Sequence, residues 1–60
     1  MMTIAGLIIK DLDALGLGRW SEANLKKHQL KELEKIRQSY QEGAINRREY
    51  KMMAKDILKV

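Results

Sequence analysis

LKELEKIRQSYQEGAINRREYKMMAKDIL, residues 30–58, is the stretch that decides the fold. It carries two apolar periodicities with a glycine between them. In the first, Leu33, Ile36 and Tyr40 fall in one narrow sector of a helical wheel. Leu25 joins them from upstream, and Leu30 lies at the sector's edge. Gly43 supplies the stop, because only glycine enters the left-handed conformation there without a steric cost, and Ile45 is placed to pack over the turn. Asn46 then precedes Glu49 by three positions, the capping-box spacing that opens a helix. Tyr50, Met53, Ala54, Ile57 and Leu58 form the buried stripe expected of that helix. A link as short as Gly43–Asn46 forces two helices into an antiparallel hairpin.

Upstream of the hairpin, Ser21 and Asn24 both suit an N-cap, so the second helix is expected to begin at Glu22 or Leu25 and to end at Gln41, residues 22–41 at its longest. Its outer face is spaced for surface pairs, Glu32 with Lys35, Lys31 with Glu34 and Glu34 with Arg37. The first segment runs from a capping Thr3 to Leu15. Ile4, Ile8, Leu12 and Leu15 share one helical face, which Leu7 and Ile9 widen. A strand over residues 3–9 is the competing reading, but no second strand exists for it to pair with. Gly16 ends this helix and Leu17 stands ready for the apolar contact beyond it. The expected architecture is all-α: a single three-helix mini-domain over residues 1–60. Its helices span 3–15, 22–41 and 47–59, the last two as a C-terminal antiparallel hairpin.

Composition agrees. The 60 residues are 45% hydrophobic and 33% charged, a globular balance. Proline and cysteine are absent, which favours helix and excludes disulfides, zinc ribbons and thiol chemistry. A chain of this length buries only about 60% of the surface it exposes unfolded, so a shaped pocket would compete with the core for side chains. The net charge of +4 permits nucleic acid, an anionic membrane or an acidic protein as partner. The longest apolar run, Ile4–Ile9, falls far short of the ~20 residues of a membrane span. It also lacks the flanks of a secretory leader. The expected compartment is the cytoplasm.

Catalytic constellations do not emerge. His28 lies in a polar stretch with no nucleophile beside it and reads as a solvated surface residue. Asp11 and Asp13 begin a calcium-loop spacing, but Leu15 stands where a third oxygen ligand belongs and no glutamate closes the loop. Gly16 and Gly18 lack the third glycine and preceding strand of a dinucleotide fingerprint. No enzyme activity, metal, cofactor or small-molecule substrate is expected. Met52 and Met53 read as core or edge packing.

Two surfaces remain as candidates. Arg47, Arg48, Lys51, Lys55 and Lys59 project within about 120° of one another by the 3.6-residue period, opposite Tyr50 and Ile57. Such a face could bind a partner or track phosphates, with salt-dependent affinity. Helix three offers no Asn, Gln, Ser or Thr after its cap to read base edges, so any nucleic-acid contact would run through phosphates. The second surface is apolar: Ile4, Ile8, Leu12 and Leu15, with Trp20 beside Arg19 as an anchor. Either the first helix closes the hairpin into a three-helix core, or part of its face stays open for a partner or a second copy.

Residues 30–58 resemble the short C-terminal domain of bacterial proteins known as SHOCT. Leu30, Leu33 and Tyr40 match its first helix, and Glu42, Gly43 and Ile45 its turn. Asn46, Glu49 and Tyr50 match the second start, with Lys55, Ile57 and Leu58 at the end. Arg47 and Arg48 depart from the pattern, which is usually acidic there and suits the helix dipole. The resemblance implies an interaction or oligomerisation module without catalytic residues.

The reading of the whole is a non-enzymatic protein-interaction or oligomerisation module, a small adaptor or inhibitor that binds a larger protein, or itself, through helix faces. A basic nucleic-acid-binding regulator, contacting phosphates through helix three, is the alternative. A membrane surface is disfavoured by Asp11 and Asp13.

Overall fold

The computed structural model describes residues 3–59, which form three helices and no strand. These are α1 (Ile4–Ala14), α2 (Lys27–Gln41) and α3 (Arg47–Leu58). The all-α architecture is the expected one; residues 1, 2 and 60 of the expected domain lie outside the described residues. Central α2 packs against both α1 and α3.

The stops work as the glycines imply. After α2, the Gly43 N–H donates to the Tyr40 carbonyl at 3.1 Å and the Ala44 N–H to Ser39 at 2.9 Å. After α1, Gly16 donates to Asp13 and Leu17 to Leu12, both at 3.0 Å. Each pair is a Schellman motif, with the glycine in the left-handed region at φ +81° and +77°. Leu17 and Ile45, the residues just past these turns, pack onto the core. The starts of α1 and α3 also hold. Thr3 Oγ1 accepts from the Gly6 N–H at 3.1 Å. Asn46 Oδ1 accepts from the Glu49 N–H at 2.8 Å while Glu49 Oε1 accepts from the Asn46 N–H at 3.1 Å, a complete capping box.

The start of the second helix differs. It begins at Lys27 and not at Glu22 or Leu25. Ser21 and Asn24, expected as caps, instead hydrogen-bond to each other through their side chains, and the Asn24 N–H donates to the Ser21 carbonyl at 3.0 Å. Short polar side chains that satisfy one another locally stabilise a turn in competition with the helix. Leu25 drops from this turn into the core, and Lys26 stays extended at ψ 154°. The first turn of α2 is capped from one side only: Gln29 Oε1 accepts from the Lys26 N–H at 2.9 Å. A lysine ammonium has no acceptor with which to reciprocate. At the other ends the shifts are single residues, with Leu15 and Lys59 serving as C-caps in place of last helical residues.

The core comprises Ile8, Leu12 and Leu15 from α1 and its cap, Leu25, then Leu33 and Ile36 of α2 and Tyr50, Ala54 and Leu58 of α3. Three expected core positions lie outside it; of these, Ile57 is partly buried and packs against it. Met53 is 42% exposed because the arc of α3 facing its neighbours is filled by Tyr50, Ala54 and Leu58, leaving position 53 at the rim. Tyr40 is also a rim residue, its ring 5.0 Å from that of Tyr50 at a 38° tilt. Met52, read as core or edge packing, is the most exposed large apolar side chain among the described residues, at 62%.

Candidate functional site

The apolar face of α1 is consumed inside the chain. Ile8 and Leu12 are 0% exposed and Leu15 is buried, so these three expected partner-binding residues are core residues of the chain itself. The physical reason is the hairpin's own need. Two helices present Leu33, Ile36, Ala54 and Leu58 toward one side, and α1 is the only other helix that can cover them. Of the expected apolar surface, Ile4 alone remains largely open, at 43%. Trp20 is half-buried against the core, and its indole Nε1–H donates to the Leu17 carbonyl at 3.0 Å. It fixes the linker onto the domain.

A polar junction ties the three helices together. Asp11 Oδ2, on α1, accepts from Arg37 Nε of α2 at 2.8 Å and from the Tyr50 hydroxyl of α3 at 2.9 Å. The bond to Arg37 is an ion pair, and a charge-assisted bond of this kind is roughly twice as strong as a neutral one. Arg37 is therefore not used in the expected pair with Glu34. Arg37–Asp11 is the one ion pair among the described residues, and the remaining α2 surface charges stand apart. Burial first, and then the bond to Asp11, hold the Tyr50 phenol well above the usual tyrosine range. Asp11 thus has a packing role that its sequence neighbours did not announce. Arg37 and Tyr50 lie 26 and 39 positions away, so no local spacing could reveal it.

The basic face divides. Arg47, Arg48, Lys51, Lys55 and Lys59 are all exposed. Arg47, however, precedes Ala54 by seven positions and Leu58 by eleven, which places it in their sector and turns it toward α1. There its Nη2 donates to the Ala14 carbonyl at 2.9 Å. Cations are well placed against the open carbonyls of a helix C-terminus. Arg47 is thereby a clasp between α3 and α1. The other four form the outward face and stand beside Met52. Met52, Lys55, Asp56 and Lys59 line one shallow surface recess. Around the helix from Met52, Glu49 and Asp56 form a narrow acidic strip, and Met53 follows at the boundary with α2. A second groove of about 340 Å³ runs between α2 and α3 there, lined by Glu32, Lys35, Ile36, Met53, Asp56 and Ile57.

His28 is exposed near the start of α2. Asp13, the partner of Asp11 in the calcium-loop spacing, is exposed and shares none of the bonds of the Asp11 junction. No helix among the described residues is long and apolar enough to cross a membrane. The arrangement leaves open to solvent a face of cations on long flexible stems, with the polarizable thioether of Met52 at its margin and that of Met53 beyond the acidic strip. No family model matches the chain, and neither a curated protein nor a solved structure matches it.

Proposed function

We propose that the chain is a small non-enzymatic protein-interaction module that binds a larger protein through the outward face of α3. One observation carries this reading: Met52 and Met53 are 62% and 42% exposed on the same helix that displays Arg48, Lys51, Lys55 and Lys59 to solvent. Large apolar side chains are costly to leave in water, and methionine adapts to irregular partner surfaces. The flanking cations would speed encounter with an acidic partner and set its orientation. Self-assembly through α1, the other form of this reading, loses its support, because Ile8 and Leu12 are fully occupied in the core.

The test is affinity capture with the full chain beside two variants, Met52→Asp and the pair Lys51→Glu with Lys55→Glu. A protein retained by the wild type and lost from both variants supports the proposal. The exposed cations also favour a second reading, phosphate contacts along nucleic acid. That reading expects nuclease-sensitive capture, indifferent to Met52→Asp, with affinity that falls steeply as salt rises.

A further inference from the structure

We infer that the segment seated on α3 is an acidic helix of the partner, its carboxylates pairing turn by turn with Arg48, Lys51, Lys55 and Lys59 and an apolar side chain covering Met52. This rests on the protein-binding reading above and names the partner's chemistry. The four cations recur at intervals of three, four and four residues. On a helix rising 1.5 Å per residue that is one cation per turn, a ladder about 16 Å long. Lys59 extends it past the last turn, at the left-handed C-cap with φ 57°. It shares the recess with Met52, Lys55 and Asp56, the last at its acidic edge, and so lies within reach of the same ligand. A partner helix with carboxylates at the same interval presents one to each rung, whereas an acidic residue elsewhere on it would meet nothing.

The ladder is bounded on both sides. Arg47 is withdrawn to the Ala14 carbonyl, and beyond Met52 the Glu49 and Asp56 carboxylates stand on α3. The cationic strip is therefore narrow, and a broad polyanion would meet the acidic strip as well. This favours a helix over a nucleic-acid duplex, as does the open thioether of Met52, an apolar side chain beside the cations that a phosphate backbone would leave uncovered. A second copy fits poorly. The segment from Arg47 to Lys59 carries five cations against two carboxylates, and the whole chain is +4, so a copy brings the same excess charge to the contact.

The deciding experiment titrates the full chain, labelled at its methionine methyls, with three synthetic helical peptides of equal length. One carries Glu at intervals of three, four and four with a Leu stripe alongside; one replaces each Glu by Lys; one keeps Glu and replaces Leu by Gln. The inference expects the Glu/Leu peptide alone to shift the Met52 methyl resonance. It also expects Lys51→Glu with Lys55→Glu, checked as folded by circular dichroism, to weaken that binding by about tenfold or more. Equal binding of both Glu peptides would overturn it in favour of a simple anion site. So would a Met52 shift produced by phosphatidylserine vesicles or a DNA duplex and not by the Glu/Leu peptide. If the peptides fail while lysate capture still depends on Met52, the inference falls and the protein-binding reading stands. If capture fails as well, both fall.

Discussion

Asp11, Arg37 and Tyr50 show how much of this small fold rests on single side chains. One carboxylate oxygen receives a guanidinium N–H and a phenol O–H from two other helices. Each such bond is worth about 1 kcal/mol net, and more where a charge takes part. In the sequence, Asp11 belongs to an acidic pair on α1 and Arg37 to a surface of alternating charge, so neither gave a sign of the other. The Tyr50 phenol gives a test with a fixed sign. Its ordinary value is 10.0, and burial with the Asp11 bond raises it in the folded chain. The stabilisation is therefore complete below about pH 10, where both states are protonated. It declines above that, because the unfolded chain releases the proton first. Tyr50→Phe removes this titration. The stability difference between wild type and variant, from urea melts at a series of pH values, should be flat to about pH 10 and then shrink. A difference that stayed constant at higher pH would mean that the phenol is not held by burial and Asp11.

At the scale of the element, the helix ends separate what local chemistry announces from what it does not. Gly16, Gly43 and the Asn46–Glu49 pair were legible because each acts within a few residues of itself, and all three stand where the sequence pattern puts them. The start of α2 was not legible. Ser21 and Asn24 are good caps in isolation, but each is the other's best partner, and burial of Leu25 draws the chain off the helical path until Lys26. That leaves α2 with a cap residue that cannot accept a hydrogen bond. Lys26→Ser should therefore stabilise the protein by about 0.5–1 kcal/mol, seen as a higher urea midpoint with an unchanged slope. No gain, or a loss, would place the start of α2 elsewhere. Apolar periodicity was informative for α3 but drew its stripe one residue too wide. Met53 sits at the edge of the wheel sector, and only the actual approach of α2 decides on which side of the boundary it falls.

The whole molecule turns on where α1 spends its apolar face. Sequence alone allowed a docked helix or an open interaction arm, because the same residues serve either purpose. The choice depends on what the hairpin leaves uncovered, a property of the packed structure. Ile8 and Leu12 lie at 0% exposure in one core with Leu33 and Ile36. Ile8→Ala should consequently cost about 2–4 kcal/mol, read as an early loss of helical signal in urea. An arm held away from the hairpin would lose almost nothing. The cationic face, by contrast, was legible as a group, and the structure altered its membership by one residue, taking Arg47 as a clasp onto α1.

The packing makes α1 structural, and the proposed function then expects a monomer that meets its partner through α3. The most direct check is the absolute mass by light scattering behind a sizing column, with loading concentrations from micromolar to millimolar. The account predicts 7.0 kDa throughout, with no dependence on concentration. A mass rising toward twice that value, and returned to the monomer's by Ile4→Asp, would contradict it and restore α1 as the surface of assembly.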